Sequence, residues 1–457
     1  MVEASLGRFG DKRLASVGSA LLASMQRERT LHVPQLAKDR NQYVQFGRFV
    51  ANPAVTIQEM LTSTARLTDQ RAAGRHVLAI MDTTDLRFPT HEASKRGFGR
   101  DANDLCPGMF LHPVLAVDAE HGGIIGLVDC VVLNRTEGKL ADHKTREADA
   151  KESRRWLHGA EIAGDRLTAA AAITMVSDRE SDIYDLFARR PAHVHLLCRS
   201  AHPRAMTAGG LLPAHCASLP ERDRTTIEVP AKPGRAAREA SVALRFDAIE
   251  LCRPVGAGRE QPKTVALWVV DVREVDPPNG AEPVHWRLLT THPVTTPAEA
   301  HRIVAWYRRR WIIEQVFRSL KSHGLDIEAS QMVEATCFTK LAVIALIAAV
   351  GAMQLVLARD GSTGQSVTDA VEPPDMAALR ALNASLQGRT AKLRNPFDEV
   401  SLAWYAWIVA RLGGWSGYTS RGYKPPGPKT MHRGMISVAQ ILTGWRLAVR
   451  SADGRLR

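Results

Sequence analysis

The sequence predicts an α/β protein, with a core of alternating strands and helices, a β-rich insertion and helical segments at both ends. Three observations lead there. Short apolar runs (HVLAIM, HPVLAVD, GIIGLVDCVVL, AITMVS, HVHLLC) alternate with helix-forming stretches from residue 76 to about 204. From 205 to 285 the pattern changes to TTIEVPA, ASVALRF and KTVALWVVDVREV, broken by AKPGRA and RPVGAG, which reads as mostly antiparallel strands. The flanks show helical spacing instead of alternation.

Residues 1–70 read as helices. GDKRLASVGSALLASMQRE offers Asp11 as an N-cap, and Thr56 stands three residues before Glu59 in a capping-box arrangement. Between them, AKDRNQYVQFGRF interleaves Lys38, Arg40 and Arg48 with Tyr43, Phe46 and Phe49. A small helical domain needs such aromatics as core, while the cations stay open to other use. Residues 71–358 form the α/β body, with 205–285 as the insertion. TPAEAHRIVAWYRRRWIIEQVFRSLKS then returns to helix, with Thr296 and Glu299 spaced as a second capping box. Polar, Pro-bearing breaks mark 359–395 as a linker, and 396–457 is helical again around LAWYAWIVARLGG and SVAQILTGW.

Composition excludes several classes. Apolar residues make up 45% and charged residues 24%, as in ordinary globular proteins. Six scattered cysteines without a C-x-x-C pair argue against a disulfide scaffold or zinc ribbon and for a reducing, cytoplasmic setting. MVEASLGRFGDKRL has no apolar run of the signal-peptide kind. LAVIALIAAVGAMQLVLA, from Leu341, reaches the lower length limit of a membrane span, yet a helix buried on all sides reads the same way. The net charge of +12 favours a polyanionic partner.

Candidate chemistry rests on acids. Asp82 ends one apolar run and opens DTTDL; Asp178 ends another and opens DRESDIY. In α/β cores, ligands gather beyond the carboxyl ends of strands, and hard divalent cations take carboxylate oxygens. Each acid alone reads equally well as a cap or turn residue. Asp85, Glu180 and Asp182 are competing ligands, better read as solvated. A third acid, Glu314, sits in YRRRWIIEQVFRSLKS among five cations. At about 100° per residue, Tyr307, Arg310, Glu314 and Lys321 share an arc of roughly 60°, opposite Ile312, Ile313, Val316 and Leu320. Taken alone, the helix also fits a solvated face with Glu314 paired to Arg310 and Arg318.

The spacing Y-x2-R-x3-E-x6-K resembles the signature of the cut-and-paste DDE transposases of the insertion-sequence-four type. DTTDLRF and SDRESDIYDLF resemble that family's first and second aspartate segments. KESRRWL (151–157), LLCRSAHPR (196–204) and WRLLTTHPV (286–294) follow in its order, while 31–49 and 360–395 depart from its pattern. The resemblance implies a ribonuclease-H-like catalytic core carrying the β-rich insertion. It further implies an N-terminal DNA-binding domain and a C-terminal dimerisation domain.

By the same resemblance, Asp82, Asp178 and Glu314 hold two Mg²⁺ ions, with Mn²⁺ as a substitute, and carry out catalysis. Tyr307, Arg310 and Lys321 contact phosphates, Trp286 stacks on an extruded base, and Arg199, His202, Arg204 and Lys151 touch the backbone. The substrates are double-stranded DNA, namely terminal inverted repeats and a target. The expected assembly is a homodimer on paired ends, with no membrane. Competing readings are a non-cutting DNA-binding protein of transposase descent and a stand-alone nuclease on the same core.

Overall fold

A computed structural model describes residues 6–28, 30–136, 152–229, 236–321, 324–370, 375–417 and 425–452. The chain divides into two compact units. The first comprises 1–73, 83–141 and 313–457; the second comprises 74–82 and 142–312. The expected 71–358 body therefore contributes to both.

The first unit is built around an apolar helix. Its N-terminal helices are α1 (Lys12–Glu28), α2 (Val33–Leu36), α3 (Arg40–Ala51) and α4 (Ile57–Ala72). Phe46 and Phe49 are buried, with Phe9 edge-on to Phe49 at 5.6 Å, whereas Tyr43 is exposed. Thr56 caps α4 by accepting the Glu59 N–H at 3.2 Å. The Glu59 carboxylate instead accepts from Arg8 N–H at 2.8 Å, pinning the chain before α1. Strands β2 (Thr84–Arg87), β3 (Gly99–Arg100) and β5 (Ile124–Leu133) each pair antiparallel with β4 (Pro107–Asp118), which is buried along its whole length. Helix α4 lies against β5. A side chain at Gly126 would run into Thr68, so the glycine admits the helix.

Within this unit, α10 (Ala335–Ala358) packs on β5, α1, α3, α4, α12 (Leu402–Leu412) and α13 (Pro428–Ala452). It is long and apolar enough to cross a membrane, but 89% of its apolar window is buried in the protein. Being covered on all sides explains its uniformly apolar sequence. Residues 359–395, expected as a linker, carry α11 (Met376–Leu386), which buries Ala378 and Leu379 and packs on α12. The Pro-bearing breaks hid this helix, since they flank it without entering it.

The second unit is a large mixed sheet with helices. Strands β1 (His76–Met81), β6 (Ala172–Ser177) and β7 (Val194–Arg199) are parallel; β11 (His285–Thr290), β10 (Thr264–Glu274), β9 (Arg238–Cys252) and β8 (Asp223–Val229) continue antiparallel in that order. The stretch expected as an insertion thus supplies β8, β9 and β10, and β11 joins them to β7. Helix α5 (Arg154–Arg166) packs on β1, β6, β7 and the short α6 (Tyr184–Arg189); α7 (Leu212–Ser218) precedes β8, and α8 (Pro297–Arg309) packs on β6, β7, β9 and β10. A full capping box of Thr296 and Glu299 starts α8. The single helix expected across 297–321 is interrupted: α9 (Trp311–Leu320) begins only after Arg310 N–H turns back to Tyr307 O at 3.0 Å. That three-residue bond tightens the backbone locally where a four-residue bond would continue the helix.

Candidate active site

The site begins with two short strands. β1 and β6 are buried along nearly their whole length, as parallel strands covered on both faces require. Their register is constant from His76 opposite Ala172 to Ile80 opposite Val176. Continued two residues past Ile80 and Val176, it sets Asp82 opposite Asp178. Neighbouring strands lie about 4.8 Å apart, so the two carboxylates leave the carboxyl end of the sheet side by side. Both residues are half-buried. Asp178 also caps the 3₁₀ turn Arg179–Ser181, accepting from Glu180 N–H at 2.9 Å. Asp82 Oδ2 accepts from Arg310 Nη1 at 2.8 Å.

The competing acids have other occupations. Asp182, read from sequence as solvated, is buried: its oxygens accept from Ala201 N–H (2.7 Å), His202 N–H (2.9 Å) and Arg204 Nε (3.0 Å). The Arg204 guanidinium is only 8% exposed and is spent on this carboxylate, which is at odds with a backbone phosphate contact. A buried arginine so paired would leave an uncompensated charge if it turned outward. Glu180 is exposed and pairs with Arg155 at 2.8 Å. In the first unit, Asp85 pairs with Arg87 at 2.7 Å.

Beside the acids, the second unit has a cavity of about 800 Å³ lined by Arg199, His285, Trp286, Tyr307 and Arg310, among others. Trp286 and Tyr307 meet edge-on at 5.4 Å, and Trp286 is half-exposed. Tyr307 is buried in α8. Burial pushes its phenol above the ordinary value, Arg310 and Arg199 oppose the rise, and Asp178 adds to it. Burial likewise lowers Arg199, whose guanidinium donates to His285 O at 2.8 Å. His202 is exposed, and Lys151 lies outside the described residues.

Sequence reasoning missed the support behind Trp286. On a strand, residues 285 and 287 share the face opposite Trp286, and both reach Asp271 on β10: His285 Nε2 at 2.9 Å and Arg287 Nε at 3.6 Å. Arg273 joins them at 2.6 Å, and the Asp271 side chain is fully buried. Burial opposes ionisation of this carboxyl, and the hydrogen bond with His285 and the charge of Arg273 nevertheless hold it below the usual range. An acid in the middle of the apolar run ALWVVDV was the available signal, because a buried charge demands partners.

In the first unit, Glu314 lies half-buried in the opening turn of α9, while Ile313, Val316 and Leu320 are buried. Lys321 donates to Asp85 O and pairs with Glu328 at 3.3 Å.

Among the described residues, no group of three or more His, Cys, Asp or Glu side chains is gathered tightly enough to hold a metal. Asp82 and Asp178 nevertheless fit a hard divalent cation as a pair. They are carboxylates, they stand side by side, and a cationic group already rests on one of them.

Residues 210–350 match the family model of the transposase DDE domain. The matched stretch includes Trp286, Tyr307, Arg310, Glu314 and Lys321, and begins beyond Asp82 and Asp178. It supports a DDE transposase, a nuclease-type enzyme class that acts on DNA and generally uses divalent metal ions.

Proposed function

We propose that this chain is a cut-and-paste transposase that cleaves DNA at the terminal repeats of a mobile element and joins the freed ends to a target. The observation that carries this reading is that Asp82 and Asp178 follow the paired ends of β1 and β6, with Arg310, which rests on Asp82, also lining a groove with Arg199, Trp286 and Tyr307 as well as Glu228, Glu239 and Glu282. Under it, 71–358 is a ribonuclease-H-like catalytic domain, 1–70 bind DNA and 396–457 dimerise. Supporting the last of these, α13 exposes Ile441, Trp445 and Val449 at four-residue spacing, an apolar stripe on one helix face.

Asp82, Asp178 and Glu314 are the residues that would hold two Mg²⁺ ions, with Mn²⁺ as a substitute. Bound metal supplies charge neutralisation at the attacked phosphate and a more acidic water or 3′-hydroxyl. The remaining work falls to side chains. Arg199 and Arg310 orient phosphates from the groove wall, Arg310 offering a planar fork that suits paired oxygens. Tyr307 braces Arg199 and the Trp286 ring. Lys321 and exposed His202 add contacts along the backbone. After the first nick, the freed 3′-hydroxyl attacks a phosphodiester of the opposite strand and displaces the flanking strand's 3′-oxygen, closing a hairpin that water then reopens to restore the 3′-hydroxyl. That sharp bend is eased when a base leaves the stack and lies on Trp286.

The test is a supercoiled plasmid carrying the element's own terminal repeats, incubated with Mg²⁺. The wild-type protein nicks it, excises the segment and joins it elsewhere. Asp82→Asn and Glu314→Gln bind the ends and do not cut. Binding without cutting by the wild-type protein would instead identify a non-cleaving descendant. Products released without strand transfer would identify a stand-alone nuclease.

A further inference from the structure

We infer that Arg310 is a resident counter-ion of Asp82, which a metal ion must displace, and that the displaced guanidinium is then delivered to the DNA. This rests on the function proposed above and concerns residues of the second unit only. Asp82 and Asp178 each follow the last residue of adjacent parallel strands, opposite one another when the register of Ile80 and Val176 is continued two residues. Two half-buried carboxylates at neighbouring strand ends repel each other, and an adjacent cation relieves that repulsion. Arg310 Nη1 sits 2.8 Å from Asp82 Oδ2, and the two side chains are 15% and 18% exposed. The pair is therefore partly shielded from water, where a charge-assisted bond is stronger than at the open surface.

The same guanidinium lines the groove with Arg199, Trp286 and Tyr307. It thus stands between the acids and the space proposed for the DNA. One guanidinium cannot serve both. A dication on Asp82 would take the oxygen that Arg310 holds and repel the guanidinium towards the groove that Arg310 already lines. Metal loading and DNA binding then favour each other, because each removes the ion pair that opposes the other. Without such an exchange, Arg310 would be a standing competitor for the metal and a weak DNA contact at once.

The experiment measures Mn²⁺ binding to the full chain without DNA, by the loss of the free-ion electron paramagnetic resonance signal. The proteins are wild type, Arg310→Gln, Arg308→Gln and Asp82→Asn, with melting curves confirming that each is folded. Arg308 is an exposed neighbour at the end of α8, so its variant removes one charge without touching the Asp82 pair. Arg310→Gln is expected to bind Mn²⁺ about three- to tenfold more tightly than wild type. Arg308→Gln should match wild type, and Asp82→Asn should bind weakly.

Equal or weaker binding by Arg310→Gln would overturn the exchange. So would an equal gain in Arg308→Gln, which would reduce the effect to general charge. If neither wild type nor Arg310→Gln takes up Mn²⁺, the metal site itself fails, and the proposed reaction with it. A second readout is the salt dependence of binding to a short fluorescent DNA duplex. Added Mn²⁺ should steepen the slope by about one in wild type, as a new phosphate contact forms, and leave Arg310→Gln unchanged. No steepening in wild type would also overturn the exchange.

Discussion

The two ends of the same parallel strands in the second unit carry opposite chemistry. At the carboxyl end of β1 and β6, Asp82 and Asp178 are half-buried and still partly open to water, with Arg310 linking Asp82 to a roomy groove. At the amino end, His76, Thr174, His195, His292 and Trp306 are packed together. Thr174 Oγ1 lies 2.8 Å from His76 Nε2 and 2.7 Å from His292 Nε2. The His195 and His292 rings stack at 4.0 Å, and Trp306 lies edge-on to His76 at 4.6 Å. Burial, then His195, His76 and Arg302, push the His292 imidazole down to about 3. One end keeps its charges and leaves them reachable; the other suppresses charge by removing water. The contrast teaches where chemistry belongs in such a sheet, since a titratable cluster alone does not mark a site. What matters is access and a partner for the charge.

The largest expected effect would break the comparison at its acidic end. Asp178→Asn should lower strand cleavage by at least about a thousandfold. Its melting temperature should stay within a few degrees, because asparagine caps the following turn nearly as well. A large loss of stability with cleavage retained would make Asp178 a structural residue like Asp182.

Next in size is acid sensitivity at the histidine end. His292 has a folded value below its ordinary 6.5, so the unfolded chain binds the proton more readily. Its contribution is present above about 6.5 and is lost as pH falls toward 3, by at most about 5 kcal/mol. The difference in urea midpoint between wild type and His292→Gln should therefore shrink from pH 7 to pH 4.5. A difference constant with pH would show that the cluster is not held neutral by burial.

Smaller effects sharpen the groove. Trp286→Ala should slow second-strand cleavage about tenfold more than the first nick, a gap of roughly 1.4 kcal/mol. Equal loss in both steps would instead give Trp286 a packing role at the strand end. Smallest, Arg199→Ala should lower the salt slope of DNA binding by about one. An unchanged slope would restrict Arg199 to bracing His285 and Tyr307.

Much of the fold was legible because local signals agreed with burial. The short apolar runs that became β1 and β6, the alternation over 223–274 and the capping box at Thr296 each arise from neighbours in sequence. The helix in 359–395 was not legible, because its polar flanks resemble a loop and only packing on α12 distinguishes it. The break at Arg310 was equally hidden, since the residues around it are good helix formers. Asp182 and Arg204 look like surface charges in one dimension, and only their mutual burial removes them from the candidates.

By itself the sequence determined the positions of the acids at the ends of apolar runs, the basic charge and the spacing of Tyr307, Arg310, Glu314 and Lys321. These are properties of one segment at a time, written in periodicity and residue type. Tertiary structure decided which charges answer which. Strand register set Asp82 opposite Asp178 and enclosed Asp271 between His285, Arg273 and Arg287, while the end of α8 brought Arg310 onto Asp82 across 228 residues. Pairing between distant residues depends on how strands align and what water can reach, and neither quantity exists before the chain is folded.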